Sequence, residues 1–485
     1  MLRPWLPLLL PFLLSACDET SVVLVIHSNQ LTIPAQLDAV CLQIAGDGKF
    51  QFKRRYPLRE ADAGAPRTLS VLPGDRTSSG FEVLLRGERR GWEVAWLRES
   101  ATFEEHTVKE KHLYLERCGT RPGQGRFGST QQLTNQPGSA VAAAPIAFAP
   151  SVAVVAWSGE ARRFAHIQGS IKQLPGGTPA VPSGGAVRDL VAVDVDGDCD
   201  LDLVLLHELG PQVWKHGDTG TFQEQAGAIL LTGDYHRAVA ADFDLDGYVD
   251  LVLVSPTEVR LLLNNGNGTG TFRDMSQLLP SGIDDVTDVA VGFLNRGAGK
   301  DPDYYPDIVL ARGDATKPNV VLLNSYSGGN VSFTRVDLSD PRDTRSVAVA
   351  DLDGDGLQDV VFGNAPVASG VSGLPQVFFN KSTDEDVSLE LRSNVLINAS
   401  PDAVDDILVA DLDDDCDEDV VLARSTSTMI YLNDGQGAFV ESPSGPQAKA
   451  SRVAAIDMNG DSVLDLVLGG EEPGAFWLAQ EKLIQ

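Results

Sequence analysis

The feature that most constrains this chain is a nine-residue acidic loop that occurs five times between apolar runs. In the copy at 242–250, Asp242, Asp244 and Asp246 occupy positions 1, 3 and 5, Gly247 occupies position 6, and Asp250 occupies position 9. Alternate residues of an extended turn point the same way, so these carboxylates converge on one point and require a cation. An all-oxygen shell of this size suits Ca²⁺ better than Mg²⁺, which demands tighter octahedral geometry. The spacing therefore predicts a calcium site.

Four further loops repeat this pattern. Their candidate ligands are Asp194, Asp196, Asp198, Asp200 and Asp202; Asp351, Asp353, Asp355 and Asp359; Asp411, Asp413, Asp415, Asp417 and Asp419; and Asp457, Asn459, Asp461 and Asp465. Five copies are too many for chance, so we expect about five structural Ca²⁺ ions.

The flanks of these loops distinguish them from EF-hands. An EF-hand needs a bidentate acid at position 12 and helices on both sides, but position 12 here is Leu205, Leu253, Phe362, Leu422 or Leu468. Each loop is preceded by an alternation of small residues and followed by a short β-branched run. Both flanks therefore predict strands.

The loops mark out repeating units of a larger array. First positions fall at 145, 194, 242, 292, 351, 411 and 457, which gives seven units of 46 to 60 residues. This length fits the four-stranded blades of a propeller. A strand-like segment at 123–127 stands alone before the first unit, while the last unit has little chain left for a fourth strand. Pairing the two would close the ring and remove its exposed edges.

Two units depart from the acidic pattern. The first carries uncharged residues at the ligand positions, namely Pro145, Ala147, Ala149 and Ala153. In the fourth, an insertion delays the closing acid to Asp307, with Asn295, Asp301 and Asp303 before it. We expect neither unit to hold calcium.

Loop, strand context and period together resemble the FG-GAP or VCBS repeats of integrin α-subunit-type β-propellers. The resemblance covers residues from about 123 to the end of the chain. It implies an all-β fold with a seven-bladed β-propeller at 126–485, in which calcium loops brace hairpins within blades. Ligands of that family usually bind elsewhere, on a face of the propeller.

A separate module at 17–118 lacks the acidic loops. Seven strand-like runs separated by turn residues predict a small Ig-like β-sandwich, joined to the propeller by a linker at 119–125. Cys41 and Cys118 lie near the two ends of this module, and we expect them to form a disulfide after export. Two buried free thiols are the alternative.

The N-terminus carries export signals. Residues 1–16 hold one early positive charge and an apolar run too short to span a bilayer, which is typical of a signal peptide. The sequence Leu14-Ser15-Ala16-Cys17 resembles the lipobox of bacterial lipoproteins, which implies cleavage before Cys17 and lipidation of that cysteine. We therefore expect a lipid-anchored protein of the bacterial cell envelope.

The charge of the chain is mostly a property of its loops. The formal net charge is −30, but the acids outside the five loops are nearly balanced by Lys and Arg. No basic patch interleaved with aromatic residues is present in the sequence, so we expect no nucleic-acid partner.

Two functional hypotheses follow. The first is a calcium-stabilised binding or adhesion protein that uses the propeller as a rigid platform for a protein or glycan, and we favour it over an enzyme. The alternative is a propeller-scaffold lyase or hydrolase that acts on polysaccharide, although each dense acidic cluster is explained by a metal loop. Two motifs remain open: Cys199 and Cys416 share position 6 of their loops and could pair, and the Arg312-Gly313-Asp314 tripeptide is best explained as coincidental turn residues.

Overall fold

A computed structural model describes most of the chain after residue 186 and chiefly strands before it. The described residues are 21–27, 39–46, 49–58, 67–71, 80–89, 92–102, 108–114, 131–134, 140–144, 152–157, 160–167, 170–174 and 186–478, the last with gaps at 218–220, 297–302, 304, 328, 368–372, 384–385, 393–394, 397–400, 414, 443–447, 460–462 and 471–474. The predicted signal peptide, Cys17, Cys118 and the linker lie outside them.

The N-terminal module contains seven strands in two sheets. They are β1 Ser21–His27, β2 Ala39–Gly46, β3 Lys49–Pro57, β4 Arg67–Val71, β5 Gly80–Arg89, β6 Trp92–Thr102 and β7 Val108–Tyr114. The sheets have the orders β4-β1-β7 and β3-β2-β5-β6. Leu24, Leu42 and Leu85, all essentially inaccessible to solvent, pack in one core shared by both sheets. The module, called the sandwich domain below, has the two-layer form expected; its likeness to immunoglobulin domains stays a prediction.

The rest of the described chain forms seven four-stranded sheets, called units 1 to 7. Their strands are β8 Gln131–Thr134; β9 Ala140–Ala144, β10 Val152–Trp157, β11 Glu160–Ile167 and β12 Ser170–Gln173 in unit 1; β13 Val187–Val193, β14 Asp202–His207, β15 Gly210–His216 and β16 Phe222–Glu224 in unit 2; β17 Arg237–Ala241, β18 Asp250–Val254, β19 Val259–Asn264 and β20 Phe272–Asp274 in unit 3; β21 Val286–Gly292, β22 Asp307–Arg312, β23 Val320–Ser327 and β24 Asn330–Asp337 in unit 4; β25 Asp343–Ala350, β26 Asp359–Ala365, β27 Gln376–Asn380 and β28 Leu389–Arg392 in unit 5; β29 Asp406–Ala410, β30 Asp419–Ala423, β31 Met429–Asn433 and β32 Phe439–Glu441 in unit 6; and β33 Arg452–Ile456, β34 Asp465–Gly469 and β35 Ala475–Leu478 in unit 7. A short 3-10 helix, Ser276–Leu278, follows β20.

The seven sheets close into a ring. In units 1 to 6 the strands pair in chain order, and in unit 7 the order is β33-β34-β35-β8. The strand β8, at 131–134, thus completes the last sheet. The sequence predicts this closing strand at 123–127, which lies outside the described residues, so a different segment from the predicted one closes the ring. The first strands of neighbouring units contact one another in a cycle that returns from β33 to β9. Among the described residues, every sheet of the ring therefore packs against a neighbouring sheet on both sides, while the outermost strand of each sheet keeps one unpaired edge.

Residue size explains how the sheets pack. The second strand of each unit is covered on both faces and is therefore continuously apolar, as in the fully buried stretch Leu251–Val254 of β18. First strands such as β17, with Ala238, Ala240 and Ala241, carry small side chains that allow close approach at the centre of the ring. Burial of each large aliphatic side chain contributes on the order of 2 kcal/mol. The nearly all-β fold predicted from the sequence is confirmed. Among the described residues, no helix is long and apolar enough to cross a bilayer.

Candidate metal centre

Each predicted acidic loop connects the first and second strands of its unit. In unit 3 the loop follows β17 and ends at Asp250, the first residue of β18. The loops of units 2, 5, 6 and 7 take the same place, so the flanking elements are strands and the EF-hand interpretation is excluded. In unit 7 the described part contains Asp457, Asn459 and Asp465, whereas Asp461 lies outside it.

Backbone amides hold the first carboxylate of each loop in place. Asp242 accepts hydrogen bonds from the N–H groups of Asp246 and Gly247, both at 3.0 Å. Asp194 accepts from the N–H groups at positions 4, 5 and 6 of its own loop, at 2.8 to 3.1 Å. The carboxylate at position 5 likewise accepts from the N–H two residues later, as Asp246 does from Tyr248 at 2.9 Å. These local bonds fix the loop before any ion is considered.

Position 6 requires a left-handed backbone. Its φ is 91° at Gly247 and 86° at Gly356, where glycine has no Cβ to clash. Cys199 and Cys416 hold φ values of 74° and 83° at the same position, which costs a non-glycine residue about 1–2 kcal/mol. The backbone at this position therefore favours glycine, although units 2 and 6 have cysteine there.

The ninth-position aspartate has a role that the sequence reasoning missed. Asp250 is fully buried; one oxygen accepts from Phe243 N at 2.8 Å and the other from Asn264 N at 2.7 Å. The same pair of bonds is made by Asp202, Asp359 and Asp419. This carboxylate therefore ties the loop to the third strand and is more than the last ligand of a metal cage.

Unit 4 shows that role by itself, because its described residues contain no convergent group of acids. Asp307 accepts from Leu294 N and Asn324 N, both at 2.8 Å. Gly292 pairs with Asp307 as Ala241 pairs with Asp250, so the first position of unit 4 is Phe293 and the predicted register at 292 is wrong by one residue. Asp301 lies outside the described residues. The predicted ligand positions of unit 1 also lie outside them, or in residues whose side chains are not described.

The remaining carboxylates converge in the way a metal site requires. Ligand atoms lie within 4.8 Å of one another in four described groups made of aspartates alone: Asp194, Asp196 and Asp202; Asp242, Asp244 and Asp246; Asp351, Asp353 and Asp355; and Asp411, Asp413 and Asp419. Buried oxygens of Asp196, Asp351, Asp353 and Asp413 have no hydrogen-bond partner. Buried acceptors without donors are costly, and a hard cation with oxygen ligands would satisfy them. The residues present therefore fit Ca²⁺.

Burial and mutual repulsion disfavour the ionised loops in the absence of a cation. Burial raises the pKa of Asp359 to about 7 and of Asp419 to about 8. Burial, followed by the neighbouring Asp415, raises the pKa of Asp413 to about 6. Basic side chains reach three loops: Lys215 contacts Asp196, Arg273 contacts Asp244, and Lys381 contacts Asp353 and Asp355. These contacts neutralise only part of the charge.

An asparagine at the end of the third strand links each loop to the preceding unit. The Nδ2 group of Asn264 donates to Val195 O in the unit 2 loop and to Val249 O in its own loop. Asn324, Asn380 and Asn433 make the same bond to the preceding unit, at 2.8 to 3.1 Å. Sequence reasoning missed these residues, although an asparagine recurs after the apolar third strand in units 3 to 6.

The predicted Cys41–Cys118 disulfide is wrong. Cys41 of the sandwich domain is bonded to Cys199 of the unit 2 loop, with a Cα separation of 5.6 Å. Cys199 therefore does not pair with Cys416. Cys416 is also disulfide-bonded. The sandwich sheet turns Cys41 toward the loop of another domain, which no pattern within residues 17–118 could indicate.

The first residue of the Arg312-Gly313-Asp314 tripeptide is buried and has a structural role. The Arg312 side chain is only 3% exposed and contacts Asp284 while donating to Asp284 O at 2.8 Å. Asp314 accepts from Thr316 in a local turn. A buried guanidinium cannot be presented to a partner, in agreement with the coincidental interpretation.

Comparisons with known proteins support the repeats. Four segments, 194–253, 242–296, 301–362 and 411–468, match the FG-GAP-like repeat family. The chain therefore carries FG-GAP-like repeats. Three of the four matches begin at the first position of an acidic loop, and the match at 301 begins within the unit 4 equivalent. No curated protein matches the chain.

Similar solved structures include two of low identity. One is a lectin of Agrocybe aegerita, described as recognising non-reducing terminal N-acetylglucosamine, with 16% identity, a TM-score of 0.46, and coverage of 74% of this chain and 91% of the lectin. The other is Sqt1 of Chaetomium thermophilum, with 10% identity, a TM-score of 0.44, and coverage of 96% and 95%.

Proposed function

We propose that this chain of FG-GAP-like repeats is a calcium-stabilised binding scaffold, anchored by lipid at Cys17 in a bacterial cell envelope, whose ring presents a surface for a protein or glycan. The observation that carries the calcium part is the convergence of carboxylates in four described loops, several of which have a buried oxygen that lacks a donor. Bound Ca²⁺ would supply the positive charge that these loops lack. The lipid anchor is supported by the sequence around Cys17 alone.

Bracing between units supports a rigid scaffold. Asn264, Asn324, Asn380 and Asn433 connect the loops of consecutive units, and the ninth-position aspartates tie each loop to its own third strand. An ion held in one loop would therefore stiffen two neighbouring sheets. Rigid elements present binding residues at a lower entropic cost than mobile loops do.

Calcium removal tests the central part of this proposal. Binding to the native state alone stabilises a protein by RT ln(1 + [L]/Kd) for each site, about 2.7 kcal/mol at a hundredfold excess over Kd. We expect thermal unfolding of the secreted protein to shift upward with added Ca²⁺ and downward with EDTA. Unfolding that is indifferent to EDTA would refute the calcium role.

Ligand binding and anchoring need their own measurements. The purified protein without its lipid is applied to a glycan array and to envelope extracts, with Ca²⁺ and with EDTA, and we expect calcium-dependent retention. Turnover of any retained polysaccharide would favour the enzyme alternative.

For the anchor, Cys17→Ser should move the protein from the membrane fraction to the soluble fraction, and an unchanged distribution would refute lipidation.

A further inference from the structure

The sandwich domain sits directly on the acidic loop of unit 2. Besides the disulfide between Cys41 and Cys199, the side chains of Gln43 and Arg86 both donate to Cys199 O, at 2.7 and 2.9 Å. Gln43 and Arg86 are 2% and 3% exposed. These three sandwich residues lie on the adjacent strands β2 and β5, so one face of that sheet contacts the backbone of the loop.

Asp200 faces the sandwich domain and not the centre of its loop. Its Oδ1 accepts from Gln43 Nε2 at 3.1 Å, and its Oδ2 accepts from Lys53 Nζ at 2.8 Å. Lys53 also donates to Asp198 Oδ2 at 2.8 Å. Asp200 is 2% exposed and is absent from the convergent group of its own loop, which consists of positions 1, 3 and 9. Both oxygens therefore bind the sandwich domain, and Oδ2 also lies 3.5 Å from His216 Nδ1 of unit 2.

The loops without a docked cysteine differ at the same positions. Units 3 and 5 have Gly247-Tyr248 and Gly356-Leu357 at positions 6 and 7, where units 2 and 6 have Cys199-Asp200 and Cys416-Asp417. Lys53 binds two acids of the unit 2 loop, Asp198 and Asp200, which leaves Asp194, Asp196 and Asp202 as its convergent group. The cysteine holds a left-handed backbone that glycine would adopt freely, which indicates that its sulfur is needed.

We propose that the Cys199-Asp200 pair at positions 6 and 7 of the unit 2 loop is a docking module for the sandwich domain, so that Asp200 binds Lys53 and Gln43 instead of calcium. Unit 6 repeats the residue pair as Cys416-Asp417, and Cys416 is also disulfide-bonded.

The test separates docking from metal binding in the full chain without lipid. In a Cys41→Ser, Cys199→Gly background, which removes the unit 2 disulfide, Asp200→Asn and Lys53→Met are compared with Asp196→Asn. Hydrogen exchange of β3 and of the unit 2 loop reports docking, and calcium titration calorimetry reports the number of ions bound. Lys215→Met, which removes a basic partner within unit 2, is the matched control for Lys53→Met.

We expect Asp200→Asn and Lys53→Met each to accelerate exchange at the interface by at least about tenfold, because Asp200→Asn removes one of the two carboxylates that bind Lys53 and Lys53→Met removes the ammonium group that binds the buried Asp200. The double variant should lose little more than either single one, and both should leave the calcium number unchanged. Asp196→Asn should lower the number of bound calcium ions by one and leave hydrogen exchange of β3 unchanged. Lys215→Met should also leave hydrogen exchange of β3 unchanged.

Several results would overturn the proposal. Loss of a bound calcium ion in Asp200→Asn would show that Asp200 is a calcium ligand. Unchanged hydrogen exchange at the interface in Asp200→Asn or Lys53→Met would refute the docking role of this pair. Peptide mapping without reduction should find Cys41 linked to Cys199, and any other partner of Cys199 would refute the attachment. If the parent chain bound no calcium, the proposed function would fail, while the exchange results would still decide the docking role.

Discussion

Replacement of Asp307 by Asn tests whether the ninth-position aspartate braces the hairpin independently of metal. Asp307 is completely buried in unit 4, and each of its oxygens accepts a backbone N–H at 2.8 Å. Asparagine keeps one acceptor but turns an NH₂ group toward the other N–H. The lost charge-assisted bond and the orphaned donor cost about 3–4 kcal/mol together.

Relief of carboxylate burial reduces that cost. Burial raises the pKa of Asp307 well above its ordinary value, so the ionised side chain is itself held at a penalty that asparagine does not have. We therefore expect a net destabilisation of about 2 kcal/mol. The loss should be the same with Ca²⁺ and with EDTA, because the described part of unit 4 contains no convergent acidic group.

Urea unfolding and hydrogen exchange at the amides of Leu294 and Asn324 measure this effect. Asp337→Asn is the control, since the exposed Asp337 pairs only with Arg335 at the surface and its loss should cost under about 1 kcal/mol. Asp244→Asn should behave oppositely to Asp307→Asn, with a loss confined to calcium-loaded protein. If Asp307→Asn destabilised the protein only when calcium was present, the bracing role would be refuted.

Three further predictions concern pH, the disulfide loop and the links between units. Burial raises the folded pKa of Asp359 to about 7 and of Asp419 to about 8, from 3.8 in the unfolded chain, so these groups stabilise the fold at low pH and lose that contribution as pH rises. EDTA-treated protein should therefore unfold at a lower urea concentration at pH 8 than at pH 5. Saturating Ca²⁺ should remove most of the difference. Under reducing conditions, Cys199→Gly should be about 1 kcal/mol more stable than Cys199→Ser, because only glycine adopts φ 74° without a Cβ clash, and equal urea midpoints would contradict this. Asn433→Ala should cost about 2 kcal/mol, since it leaves the carbonyls of two loops without a donor, whereas the exposed Asn265→Ala should change the urea midpoint little.

The sandwich domain illustrates how the unit 2 loop can serve two purposes. Positions 1, 3 and 9 face inward and remain available to an ion, while positions 5 to 7 face outward and contact Cys41, Gln43, Lys53 and Arg86. Such a loop ties the orientation of the sandwich domain to the integrity of a metal site. The surface of the ring near this loop is consequently covered, and a ligand must approach elsewhere.

The amino-acid sequence by itself determined the local features. Strand, turn and loop identities follow from short-range patterns: alternating small residues before each loop, a β-branched run after it, and acids at fixed spacing within nine residues. The missing fourth strand in unit 7 also followed from the repeat pattern, but the segment that supplies it did not, because the sequence predicts 123–127 and the structure uses 131–134.

Only the tertiary structure decided which distant groups meet. Cys41 and Cys199 are separated by 158 residues, and the pairing depends on how one face of the sandwich sheet lies against the ring. The same holds for Lys53 with Asp200 and for Asn433 with Leu352 O of the preceding unit. Local periodicity records which face of a strand is buried but not what covers it, so partners across sheets and domains are fixed by packing alone.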